Sequence, residues 1–105
     1  MQNEKAVKDQ IKKLFKVVEQ DYPGKLYWFM PPANGFGRSG IPDFVGWFGG
    51  HAFVVEAKSG AGMTTAHQDM ELSKAVQAGA RAWIVRETSM DAFQNEFRGW
   101  VALCS

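Results

Sequence analysis

Ile41-Pro42-Asp43-Phe44-Val45-Gly46-Trp47-Phe48-Gly49-Gly50-His51-Ala52-Phe53-Val54-Val55-Glu56-Ala57-Lys58 is the stretch from which the rest of the chain can be read. Phe44 to Phe48 and His51 to Ala57 are rich in Phe, Val and Trp, which favour a pleated, half-buried surface. Gly49-Gly50 between them signals a two-residue hairpin, because both glycines accept positive φ without penalty. With the turn there, Phe48 faces His51, Val45 faces Val54, and counting outward sets Asp43 opposite Glu56. Alternation along each strand then sends Asp43, Glu56 and Lys58 to one face. Opposed residues have Cβ atoms about 4.5–5.5 Å apart, where like charges normally destabilise a sheet. Two facing carboxylates beside an ammonium group therefore call for a divalent cation, the setting of metal-dependent phosphodiester chemistry.

Composition bounds the alternatives. The chain of 105 residues has room for one domain, 1–105, with a real core. A hydrophobic share of 46% argues against a disordered chain. No run approaches the roughly 18 apolar residues of a membrane span. Met1-Gln2-Asn3-Glu4-Lys5 opens a charged amphipathic segment without a secretory core, and Cys104 is the sole cysteine. These features exclude an intrachain disulfide and a cysteine zinc cluster, and they set the expectation of a cytoplasmic protein with no membrane partner. A net charge of +1 argues against binding nucleic acid by bulk charge. Lys5, Lys8, Lys12, Lys13 and Lys16 fall on the first helix and read as a solvated face rather than a phosphate track.

The remaining elements follow from periodicity and punctuation. Lys5 to Gln20 reads as a helix with Val7, Ile11, Leu14, Phe15 and Val18 on one stripe, ended by Tyr22-Pro23-Gly24. Leu26 to Met30 is a short strand, and Asn34 to Gly40 is a glycine-rich loop. Thr65-Ala66-His67-Gln68 has capping-box spacing for a helix that runs to Gly79. Ala80 to Arg86 reads as a buried strand. A last short helix holds Phe93 and Phe97, followed by Trp100 to Leu103 as a strand or docked tail. The fold class is α/β, in the order α-β-β-β-α-β-α.

That order, with Pro42-Asp43 opening one hairpin strand and Glu56-Ala57-Lys58 on its partner, resembles the restriction-endonuclease-like core of the PD-(D/E)XK nucleases. Gly40-Ile41-Pro42-Asp43, Glu56-Ala57-Lys58, Gln68 and Gly79 together most resemble the VRR-NUC (virus-type replication-repair nuclease) branch, in its small stand-alone bacteriophage form. The resemblance spans Glu4 to about Arg86. It implies a mixed central sheet flanked by helices, a glutamate in the first helix, DNA as substrate and magnesium or manganese as cofactor.

Read this way, Asp43 and Glu56, with the backbone carbonyl of Ala57, would bind one Mg²⁺ or Mn²⁺, hard cations that prefer oxygen ligands. Lys58 would hold the attacking water or neutralise charge on the phosphate. A structural ion pair of Lys58 with either carboxylate is the rival account of these residues. Glu4 and Glu19 compete as the first-helix acid, and Glu4 is favoured because it falls inside the apolar stripe. Gln68 either closes the capping box of Thr65 or serves the active site, and the resemblance favours the active site. Arg38 and Ser39, just before Pro42, are candidates for phosphate contact. His51 and His67 read as bystanders, and Trp28, Trp47 and Trp83 as core residues rather than base-stacking platforms.

The expectation is a metal-dependent DNA endonuclease. The resemblance points to branched DNA such as four-way (Holliday) junctions, and thereby to DNA repair. A non-specific or nicking nuclease and a catalytically silent nucleic-acid-binding module are the alternatives. Symmetric cutting of a junction calls for a homodimer. Phe93, Phe97, Trp100, Val101 and Leu103 offer apolar surface for one, unless they fold back on the monomer's own core.

Overall fold

The structure, a computed structural model, describes residues 3–32 and 39–105, so the expectations for Arg38 and for most of the Asn34 to Gly40 loop lie outside the described residues. Helix α1 (Glu4–Asp21) starts where the Asn3 side chain accepts the Ala6 N–H at 2.9 Å, as an N-cap should. Its stripe of Val7, Ile11, Leu14, Phe15 and Val18 is buried. Strand β1 (Leu26–Phe29) follows, then β2 (Phe44–Phe48), β3 (His51–Ala57), α2 (Ala66–Gln77) and β4 (Arg81–Val85). A 3-10 turn at Glu87–Ser89 leads into α3 (Met90–Cys104). The element order is the one read from the sequence.

The sheet runs β1-β2-β3-β4, antiparallel across the first two pairs and parallel between β3 and β4. Gly49 and Gly50 both have positive φ, and Phe48 pairs with His51 and Val45 with Val54, the register that the Gly-Gly turn dictates. Helices α1 and α3 bury one face. Phe15 stands at the centre, its ring 5.2–5.6 Å from those of Trp28, Phe44, Phe53 and Phe97. Gly46 makes room for this cluster, since a Cβ there would lie 2.3 Å from the Tyr27 carbonyl and 2.8 Å from the Phe53 ring.

The opposite face carries Val45, Trp47, Val54 and Glu56. Helix α2, the crossover between β3 and β4, covers part of it, with Leu72 as its buried residue. Beyond α2 that face is open. Tyr27, Phe29 and Trp47 are 56%, 42% and 44% exposed, and the Tyr27 ring lies 4.9 Å from that of Trp47. Trp47 is thus not a core residue, in contrast to Trp83, which is buried, and Trp28, which packs against the core. Ile84 likewise makes β4 only half buried.

The C-terminus also differs from expectation. Trp100 to Leu103 continue α3 instead of forming a strand or tail. Phe93, Phe97 and Val101 are buried in the chain's own core, and Trp100 packs against it. Leu103 alone of that group is fully open, so this segment offers no apolar patch for a dimer. Among the described residues no helix is long and apolar enough to cross a membrane.

Candidate metal and phosphodiester site

Asp43 sits just before β2 begins, at the end of the sheet that the start of α1 meets. Its Oδ2 accepts the Ala57 N–H at 2.8 Å, which ties the loop to the end of β3. Its Oδ1 lies 3.5 Å from the Lys8 ammonium of α1. The hairpin register explains the first bond. Extending the pairing beyond Phe44–Val55 by two residues sets Pro42 against Ala57. Proline has no N–H to give, so the ladder ends there and the Asp43 side chain takes the next donor. The Lys58 N–H bonds the Val85 carbonyl at 2.9 Å, which turns Lys58 towards β4 and Ala57 towards β2. The Ala57 carbonyl therefore faces a proline and has no ladder donor on that side.

Glu56 is 2% exposed, the one buried charged side chain among the described residues. Its Oε2 is buried without a hydrogen-bond partner. Burial, then the Asp43 carboxyl with which it can share a proton and whose charge repels it, pushes Glu56 up to about 8, while Lys58 pulls the other way. A carboxyl held in an apolar strand with one oxygen unspent is costly unless a cation or proton completes it. Among the described residues no cluster of three or more His, Cys, Asp or Glu side chains surrounds this point. The donor set is two carboxylates and a main-chain carbonyl, hard oxygens that suit Mg²⁺ or Mn²⁺ and leave the rest of the shell to water or substrate.

The approach to Asp43 is held by α2. Gly40 has φ +81°, and a Cβ there would lie 2.5 Å from the His67 carbonyl carbon and 2.7 Å from the Gln68 nitrogen. Only glycine fits both the backbone angle and the space. Ser39 Oγ bonds His67 Nδ1, so His67 fastens this loop rather than standing idle, and Ser39 is engaged with it. Gln68 closes the capping box, its Oε1 accepting the Thr65 N–H at 2.9 Å while its own N–H bonds Thr65 Oγ1 at 3.1 Å. The oxygen of Gln68 is thus spent on the helix cap, and among the described residues its amide nitrogen bonds no partner. After Lys58 the loop is pinned by Glu87, which accepts the Gly60 N–H, and by Arg86 Nη2, which donates to the Gly62 carbonyl at 2.7 Å.

Helix α1 separates the two candidate acids. Glu19 accepts the Trp28 indole N–H at 2.7 Å, eleven residues and about 16 Å along the helix from Lys8, which touches Asp43. Glu4 lies one turn before Lys8, exposed, at the end of α1 that meets the carboxylates. Lys8, expected on a solvated face with four other lysines, has a side chain only 29% exposed and paired with Asp43. The signal available in sequence was its place four residues after Glu4.

No protein-family profile and no curated protein matches the sequence. Among solved structures the chain is similar to one described as a VRR_NUC domain protein, with a TM-score of 0.58 and 15% identity over 88% of each chain. The fold is therefore that of a VRR-NUC domain, a restriction-endonuclease-like α/β core, as the motifs implied.

Proposed function

We propose that this chain is a nuclease of the PD-(D/E)XK type, hydrolysing DNA phosphodiester bonds with Mg²⁺ or Mn²⁺ at Asp43, Glu56 and the Ala57 carbonyl. The observation that carries the reading is the buried Glu56, with an unspent oxygen, beside Asp43 at the mouth of a VRR-NUC-like sheet. A divalent cation in this place would supply Lewis-acid polarisation of the phosphate and a lowered pKa for the attacking water.

The chain's own residues do the rest. Asp43 and, once its proton is expelled, Glu56 would supply the negative charge for the cation, and the Ala57 N–H fixes the Asp43 rotamer through its 2.8 Å bond. Lys58, just past the end of β3 and two residues beyond Glu56, presents its ammonium for the water or for the charge that grows on the phosphate. Lys8 pairs with Asp43 at 3.5 Å and offsets part of its charge. Glu4, one turn away, can take a water or a second cation, and the Gln68 amide nitrogen can donate to a water at the site. Branched DNA such as a four-way junction is the proposed substrate, acted on by a homodimer that offers two opposed sites.

The test is cleavage of linear, nicked, flap and four-way DNA with Mg²⁺, Mn²⁺ or EDTA. Cutting is expected only with a divalent ion. Asp43→Asn, Glu56→Gln or Lys58→Ala should each lower the rate by at least about 10²–10³ while keeping the fold. A folded Glu56→Gln protein with near-full activity would sink the mechanism. Single nicks on every substrate would favour the nicking alternative, and DNA binding without any turnover would favour the silent module.

A further inference from the structure

Lys8, Lys12 and Lys16 recur every four residues and so lie along one side of α1. Successive members rise about 6 Å, and the three span about 12 Å, the rise of three to four nucleotides in one strand of a duplex. One end of this row is fixed at the candidate site, because the Lys8 ammonium is 3.5 Å from Asp43 Oδ1. The other end opens into a groove of about 300 Å³ between α1 and strand β1, lined by Lys12, Lys13, Lys16, Glu19 and Trp28. Lys12 lies 4.0 Å from Asp9, which is held more closely by Lys5 at 3.1 Å. Among the described residues, no carboxylate lies within ion-pair distance of Lys13 or Lys16. The acid within the groove, Glu19, is bonded by the Trp28 indole.

We propose that this side of α1, from Lys8 through Lys12 to Lys16, is the track along which the phosphodiester backbone of the DNA leaves the Asp43–Glu56 site. The inference rests on the nuclease reading and adds to it a direction: the strand runs along α1 towards its C-terminal half and the edge strand β1. A row of cations beside a groove fits a linear polyanion, and the row begins at the groups that would meet the scissile phosphate. A solvated helix face would need neither the groove nor the contact with Asp43.

Binding measured in EDTA, where the substrate stays intact, separates this track from the chemistry. Each phosphate contact contributes about −0.9 to the slope of log K against log salt on duplex DNA, and about −0.7 on single strands. The full-length Lys12→Gln/Lys16→Gln protein should therefore lose about 1.8 of slope on duplex, or about 1.4 on single-stranded DNA, with weaker binding to every sequence tested. Arg98→Gln is the control, since Arg98 pairs with Asp21 on the far flank of α1 and should leave the slope unchanged. In Mg²⁺ the double variant should raise KM for DNA and leave kcat nearly unaltered. An unchanged slope in a folded double variant overturns the track, as does an absence of DNA binding by the wild-type protein at low salt. Loss of the slope without any cleavage by the wild type would support the track and overturn the nuclease reading instead.

Discussion

Among the described residues Glu56 is the carboxyl pushed furthest from its ordinary value, and its protonation should make stability depend on pH. In the unfolded chain its carboxyl ionises near 4.5, and in the fold it holds its proton up to about 8. Between those values the native state binds more protons than the unfolded state, so this group makes stability fall as pH rises. The Glu56→Gln protein lacks the ionisation and should lack that part of the decline. In EDTA, the difference in unfolding free energy between wild type and Glu56→Gln should widen from pH 5 to pH 8 by on the order of a few kcal/mol, in favour of the glutamine. Urea midpoints of both proteins across that range measure it, and parallel pH profiles would show that Glu56 ionises as an ordinary carboxyl. Cation binding must expel the shared proton, so Mg²⁺ or Mn²⁺ should stabilise the wild type more at pH 8 than at pH 5. Asp43→Asn should remove that response.

The elements position Asp43 through one close approach, that of Gly40 to the start of α2. Gly40→Ala would force the loop off His67 and Gln68, costing more than about 1 kcal/mol and moving Asp43 from the Ala57 N–H. Gly24 also has positive φ (+78°), but open space surrounds it. Gly24→Ala should cost about 1 kcal/mol and leave cleavage intact. Thermal melts alongside cleavage rates decide the point, and equal activity losses in the two variants would overturn it. How much of this level could be read from sequence depended on whether the cause was local. Gly49-Gly50 fixes its own turn, so the hairpin register and the nearness of Asp43 to Glu56 were legible. The Lys8–Asp43 contact depends on how α1 crosses the sheet, which no local pattern encodes. The last helix runs on through Gly99 to Cys104 instead of giving way to a strand or tail at Trp100, because Phe97 and Val101 are buried on one stripe and that packing outweighs the roughly 1 kcal/mol cost of a helical glycine. Trp47 stands open where a core residue is expected, because alternation tells which face a residue takes, not whether a helix covers that face.

At the scale of the whole molecule, the expected homodimer loses its first argument and gains a second. The C-terminal aromatics are consumed by the chain's own core, whereas Tyr27, Phe29 and Trp47 stand open on the sheet face that also carries Glu56. At roughly 200 Å² per aromatic side chain, their open fractions leave about 300 Å² per copy. A stable dimer buries about 800 Å² on each partner, so these rings would be the anchor of an interface completed by its rim. A two-fold axis through them would set the two Asp43–Glu56 sites on either side in opposed orientation, as paired cuts across a junction require. Wild-type protein should sediment as a dimer at micromolar concentration, and Trp47→Glu should sediment as a folded monomer, because a charge buried at the anchor goes unpaired. The same variant should keep single-strand nicking with Mg²⁺ and lose coordinated cuts on four-way DNA. A wild-type monomer that still makes paired, symmetric cuts would overturn the dimer, and a Trp47→Glu dimer would show that the open aromatic face is not its interface.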